Sequence, residues 1–294
     1  MSHPAHTMPD MTGTIDYTSP GPLTDLATID RGALADLPED PAAILRLAQH
    51  LVIQPGDAGQ LSPPPGRFGE NQFRPAARLI RALLALDPSP LTVARPPERR
   101  VIGTCRHFAV LTCALLRHRG IAARVRCGFG AYFQPGLALD HWVVEFRLAA
   151  GAPWVRADPE TISVTTLPPS PFGPGGRPDP AALRPGEFLT GGEAWALFRA
   201  GRADGAVFGV PGTENFGPAE IRGNAIRDLA ALNRVEILPW DEWGRMEASY
   251  QNRTGPGYDA LIDTIATTCA TDDPAAVAAL YKSEDLEVPP TLLL

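Results

Sequence analysis

The sequence predicts an α+β fold, and three observations carry the prediction. A helical pattern over about 104–119 is followed by three strand-like runs, about 122–133, 141–148 and 153–158. Short turns at Gln134-Pro135-Gly136 and Ala149-Ala150-Gly151 separate those runs, so the strands are close neighbours. Helical periodicity dominates on both sides of this block.

The elements follow in order. Residues 1–38 are rich in Pro, Gly, Ser and Thr and lack periodicity, which predicts an extended or mobile N-terminal arm. Asp40-Pro41 opens a helix with Ile44, Leu45, Leu47 and Leu51 on its apolar stripe. Ser62-Pro63-Pro64-Pro65-Gly66 breaks the pattern. A second helix, about 75–86, carries Leu79, Leu83 and Leu86 and stops at Asp87-Pro88. The helix at 104–119 has Phe108, Leu111 and Leu115 on one face and Gly120 at its end. The segment 167–186 holds seven prolines and four glycines between 168 and 186, so neither a helix nor a central strand fits it; it reads as a surface loop or lid. Residues 187–294 read as a mostly helical extension, with helices at about 218–233 and 273–282. Residues 39–166 then form the core that carries the chemistry.

Composition narrows the function. A net charge of −7 and scattered arginines lack the basic footprint of a nucleic-acid binder. The polar N-terminus has no apolar leader segment, and no stretch approaches ~18 apolar residues, so neither secretion nor a membrane span is expected. Four sparse cysteines suit reduced thiols and a cytoplasmic location. Without CxxC or HExxH, no zinc site is expected, and no cofactor is implied.

The chemistry is read from Cys105, His141 and Asp158. Gly103-Thr104-Cys105 places a sulfur in the first turn of a helix, where the positive dipole end and free N–H groups favour a thiolate and an oxyanion. If the strands 141–148 and 153–158 turn around Ala149-Ala150, opposite residues sum to 299, and His141 faces Asp158 across the pair. Trp142, Val144, Phe146 and Leu148, with Val155 and Ala157, then point to the core, while Glu145, Arg147 and Arg156 share the His141 face as a site wall or solvent face. Asp140 is the competing orienter, but it is adjacent to His141 in a strand and so faces the other way. Cys113, Cys127 and Cys269 read as small buried hydrophobes, His118 as an exposed side chain, and His107 as structural or substrate-side.

Three blocks carry a resemblance: Gly103-Thr104-Cys105-Arg106-His107-Phe108-Ala109-Val110-Leu111 with its continuation to Arg124, then Asp140-His141-Trp142-Val143-Val144-Glu145, then Trp154-Val155-Arg156-Ala157-Asp158-Pro159. In this order and spacing the chain resembles the transglutaminase-like superfamily over about 100–160. The resemblance implies a papain-like α+β core, a helix bearing Cys packed on an antiparallel sheet bearing His and Asp. It also implies a Cys105–His141–Asp158 triad and an acyl-thioester intermediate. The acyl donor is expected to be a peptide, a small-molecule amide or an acyl thioester, and the acceptor water or an amine. A strict thiol peptidase or amidase, and a non-catalytic binding protein on the same fold, are the alternatives. No EF-hand pattern suggests calcium. Gly103, Arg106, His107, Trp142, Arg222 and Asn224 are the candidate substrate contacts, and Trp240 and Trp243 are candidates for an acyl pocket or for core.

Overall fold

The computed structural model describes residues 15–255, 257–283 and 285–293. The chain runs through α1 (Arg31–Leu34), α2 (Pro41–Gln49), β1 (Val52–Ile53), α3 (Pro55–Gln60), α4 (Ala76–Leu86), β2 (Val101–Ile102), α5 (Cys105–His118), β3 (Ala122–Gly130), β4 (Ala138–Arg147), β5 (Val155–Ala157) and β6 (Phe188–Thr190). It continues through α6 (Gly191–Arg199), β7 (Phe208–Gly209), α7 (Pro218–Leu232), α8 (Met246–Tyr250), α9 (Tyr258–Ala270) and α10 (Pro274–Tyr281). The result is an α+β fold around a sheet ordered β5-β4-β3-β6, antiparallel throughout, with β7 added parallel to the start of β4. No described helix is long and apolar enough to cross a membrane.

α5 is the central helix. Among its residues only His118 is exposed, so the helix is enclosed by its neighbours nearly all round, polar side chains included. It ends where Gly120 takes φ +74°, the left-handed turn that glycine adopts without strain. Two of its arginines are buried and tie it to the segment after α7. Arg106 donates to the carbonyls of Glu236, Ile237 and Phe73, and Arg117 donates to Ala123 O, Thr24 Oγ1 and Glu236 Oε1.

Three expectations are corrected. Residues 1–14 of the expected arm lie outside the described residues, but 15–38 are not loose. Tyr17, Leu23, Leu26, Ile29, Leu34 and Leu37 are buried in the main core. The segment lacks periodicity because side-chain turns satisfy its backbone: Asp16 accepts from Thr18 N, Thr24 Oγ1 from Gly21 N and Asp30 from Gly32 N. Gly21 lies so close to Arg234 that a Cβ would sit 2.3 Å from its carbonyl oxygen, so a side chain there is excluded.

The β4–β5 register is the second correction. Val144 pairs with Ala157 and Phe146 with Val155, so opposite residues sum to 301 rather than 299. The connection is longer than a turn at Ala149-Ala150 allows, and it leaves Leu148 at 74% exposure instead of in the core. A shift of two preserves the face, so His141 and Asp158 remain on one side as diagonal neighbours.

The third concerns the charged rows beside His141: Glu145 and Arg156 belong to an ion-pair cluster that lines a separate hollow with Arg124 and Arg126, not the hollow that holds Cys105 and His141. Glu145 is buried and accepts from Arg124 Nε at 2.7 Å, Arg126 Nη1 at 3.0 Å and Arg156 Nε at 2.9 Å. Burial opposes its ionisation, yet the three guanidiniums of Arg126, Arg156 and Arg124 hold its carboxyl well below the usual range. The C-terminal helices close this cluster. Asp228 of α7 takes Arg126 in a two-pronged pair (2.9 and 2.8 Å) and also the Cys127 N–H, a β3 edge position that the short β6 does not reach. α7 thereby caps an open sheet edge.

The loop 168–186 contains no helix or ladder strand. It lies along β5, where Pro180 O accepts from Asp158 N and Leu183 N donates to Arg156 O.

Removing the Asp228 carboxylate leaves Arg126 buried with half its partners gone. Asp228→Ala is expected to lose about 3–5 kcal/mol of stability in urea unfolding; a loss below about 1 kcal/mol would show that α7 is not anchored this way.

Candidate active site

The site forms where three elements end. Parallel pairing of β1 with β2 (Val52 with Val101, Ile53 with Ile102) brings Gln54 abreast of Gly103, whose N–H donates to Ile53 O. One residue on, Thr104 caps α5 and Cys105 occupies its first turn. His107 completes the cap: its Nδ1 accepts from Thr104 N–H at 3.0 Å. That is the reciprocal cap bond ordinarily made by Glu or Gln three residues after the cap. Burial, reinforced by the neighbouring Arg106, pushes the His107 imidazole down to about 3, so it stays neutral and can accept.

His141 stands on β4 and Asp158 just beyond β5. His141 Nε2 lies 3.0 Å from Asp158 Oδ2. The carboxylate is also held by Tyr132 Oη (2.8 Å), Thr161 Oγ1 (2.7 Å), Glu160 N (2.9 Å) and Thr161 N (3.3 Å). Asp158 is fully buried, and so strongly supplied with donors that its pKa is lowered despite burial, with His141 the largest favourable partner. Phe133, Tyr132 and Phe188 set their rings edge-on to the imidazole, with centroids 4.7, 6.3 and 6.4 Å away. Burial alone would lower the His141 pKa, but the Asp158 charge and hydrogen bond raise it well above the ordinary histidine value.

With Nε2 committed to Asp158, Nδ1 is the ring nitrogen left for the sulfur. Cys105 Sγ, a ring nitrogen of His141 and a carboxylate oxygen of Glu160 lie within 4.8 Å of one another. Burial pushes the Cys105 thiol up to about 11, and the hydrogen bond and charge of His141 pull against that rise. The first-turn position adds the helix dipole and amides without intrahelical acceptors.

These groups open on a cleft of about 300 Å³ lined by Gln54, Thr104, Cys105, Phe133, Leu139, Asp140, His141, Glu160, Val210, Pro211, Pro239 and Trp240. A hollow of similar size between the N-terminal segment and the end of α5 is lined by no cysteine.

The other expected contacts fall elsewhere. Gly103 packs on His107, where a Cβ would meet its ring at 2.7 Å. Arg106 points away into the core, because the carbonyls that satisfy it lie at Phe73 and Glu236–Ile237. Trp142 is completely buried, with its Nε1 unpartnered among the described residues. Arg222 pairs with Asp259 of α9. Asn224 reaches the site indirectly, donating to Asp140 Oδ1 at 2.8 Å and to Gly128 O at 3.0 Å. Trp243 is core, while Trp240 lies on the cleft at 42% exposure. The loop or lid expected at 167–186 does not line the cleft, whose outer walls come from Val210-Pro211 and Pro239-Trp240. Gln54, Tyr132, Glu160 and Thr161 are residues that sequence reading missed. A signal existed only for the last two, since Asp-Pro-x-Thr is a side-chain-capped turn pattern.

Residues 87–159 match the family model of the transglutaminase-like superfamily. This stretch is a transglutaminase-like core. No curated protein and no solved structure matches the chain. The matched segment ends one residue past Asp158, so the transglutaminase-like core contains Cys105, His141 and Asp158, while Glu160 and the walls at 210–211 and 239–240 come from outside it.

The two pKa directions set a pH window. Asp158, depressed below 3.8, contributes stability that is present above that value and lost as pH falls through its folded pKa. His141, raised above 6.5, contributes stability that is present below that value and lost as pH rises through its folded pKa. The stability difference between wild type and Asp158→Asn in urea unfolding is therefore expected to be largest between about pH 4 and 6.5 and to shrink above it. A difference independent of pH from 4 to 9 would contradict the pairing.

Proposed function

We propose that the chain is a cysteine-dependent acyl-transfer enzyme acting through an acyl-thioester. Cys105 is the nucleophile, His141 the general base and acid, and Asp158 the group that orients the imidazole. The observation that carries this reading is the alignment of a five-donor buried carboxylate, the His141 ring it holds, and a sulfur on the cleft wall within 4.8 Å of a nitrogen of that ring.

In the first half-reaction Cys105 Sγ gives its proton to His141 and attacks the carbonyl of an amide, ester or thioester. The oxyanion forms beside the free amides at the start of α5, with the Cys105 N–H the nearest of them in sequence. His141 then passes the proton to the leaving group, which departs as amine, alcohol or thiol and leaves the acyl group on sulfur. In the second half-reaction His141 takes a proton from water or an amine, which attacks the thioester. The tetrahedral adduct expels the Cys105 thiolate, and His141 returns the proton to it. Water makes the reaction hydrolysis, and an amine makes it transfer.

The cleft also bears on the acyl donor. Phe133, Leu139, Val210, Pro211, Pro239 and Trp240 supply apolar surface, Asp140 and Glu160 supply carboxyls, and no lysine or arginine lines it. An apolar acyl group without a negative charge suits these walls, and an anionic one is left without a partner.

Intact mass spectrometry with a panel of peptide amides, esters and small acyl thioesters tests the nucleophile. A covalent acyl adduct is expected on the wild type and not on Cys105→Ala, with acylation slowed about 10²–10⁴-fold in His141→Ala. An adduct that survives Cys105→Ala, or none across the panel, counts against the proposal. For the pocket, Trp240→Ala is expected to raise KM for apolar acyl donors about 5- to 10-fold while kcat changes less, in steady-state kinetics. An unchanged KM would remove Trp240 from the acyl wall.

A further inference from the structure

Glu160 is unaccounted for by the acyl chemistry. One oxygen, Oε1, accepts from Gln54 Nε2 at 2.7 Å, while the other, Oε2, is shielded from solvent and has no hydrogen-bond partner among the described residues. A carboxylate oxygen left unpaired inside a protein is costly, and such a group points to an occupant. Its neighbours are a thiol and an imidazole whose atoms, with a Glu160 oxygen, lie within 4.8 Å of one another.

We propose that Cys105, His141 and Glu160 form a three-ligand site for a zinc-class divalent cation, which occupies the cleft in competition with acyl transfer.

The donor set is one thiolate, one imidazole and one carboxylate. Thiolate and imidazole favour zinc over calcium or magnesium, and three protein ligands with a fourth position open to the cleft are the pattern of an accessible zinc site. The outer support is in place. Asp158 accepts from the Nε2 side of His141, fixing the tautomer that leaves Nδ1 free to coordinate. Gln54 holds the second oxygen of Glu160. Tetrahedral bonding sets ligand atoms about 3.3–3.6 Å apart, so the three side chains close by about an ångström around the ion. Thiolate and carboxylate together balance the two positive charges, and the thiol proton of Cys105 and the Nδ1 proton of His141 both leave to solvent as the metal binds. The ligands come from positions 105, 141 and 160, which explains why no compact sequence motif announces them. The blocking consequence rests on Cys105 being the nucleophile; the binding itself does not.

The test uses the full reduced chain, freed of metal by a chelator and titrated with CoCl2 and then ZnCl2 in the absence of any acyl donor. One Co²⁺ per chain is expected, with a thiolate-to-cobalt charge-transfer band in the near ultraviolet that Zn²⁺ abolishes. The band is expected to be lost in Cys105→Ala and kept in Cys113→Ala, and Glu160→Gln is expected to weaken Zn²⁺ binding at least about tenfold. Wild type carrying an iodoacetamide-blocked Cys105 is expected to lose the band as well, which keeps the test independent of whether the variants fold. Equimolar Zn²⁺ is expected to slow Cys105 alkylation at least about tenfold, with full recovery on adding chelator. Absence of the band, its persistence in Cys105→Ala or in the alkylated wild type, unchanged Zn²⁺ affinity in Glu160→Gln, or alkylation indifferent to zinc would each overturn the proposal. Failure of acyl transfer with metal binding intact would count against the enzyme reading alone.

Discussion

The buried contact between Asp158 and His141 is the constraint on which the site depends. A carboxylate removed from water needs compensation, and here five donors supply it: the imidazole, Tyr132, Thr161 Oγ1, and the N–H groups of Glu160 and Thr161. Those bonds fix the ring plane, which in turn determines which nitrogen faces Cys105. The aromatic rings of Phe133, Tyr132 and Phe188 exclude water from the same ring, so the charge on Asp158 acts on it almost unscreened.

The rest of the chain keeps this contact in place. The segment 168–186 accepts the Asp158 N–H at Pro180 and so holds the end of β5 from outside. Further along the sheet, Glu145 gathers Arg124 and Arg126 from β3 and Arg156 from β5, and Asp228 links that cluster to α7. Asn224, one turn earlier on α7, reaches Asp140 beside His141. The C-terminal helices are thus joined to the cleft by buried charge and hydrogen bonds, which are directional, in addition to apolar packing, which is not. Pro239-Trp240, beyond α7, completes the cleft wall.

The sequence made the arrangement of Cys105, His141 and Asp158 legible where it is local. A cysteine after Gly-Thr at a helix start, and strands carrying His and Asp with matching alternation, were sufficient to bring three residues together, even though the register was two residues off. The error was harmless because side chains alternate with a period of two. Local signals failed in two other settings. Residues 15–38 pack through scattered apolar side chains and side-chain turns that leave no periodicity. Gln54 and Glu160 meet through a two-residue parallel strand pair and a turn, contacts between positions over 100 apart that no pattern in one chain announces. Arg106 and Trp142 read as contacts because they neighbour Cys105 and His141 in sequence, while helix and strand geometry turn their side chains into the core.

The most direct test compares Cys105 with Cys269 in one iodoacetamide time course at neutral pH, followed by peptide mass spectrometry. The two cysteines are equally exposed at 7%, and only Cys105 has an imidazole beside it. Cys105 is expected to alkylate at least about tenfold faster, with the advantage lost in His141→Ala. Equal rates for the two thiols in the wild type would contradict the account.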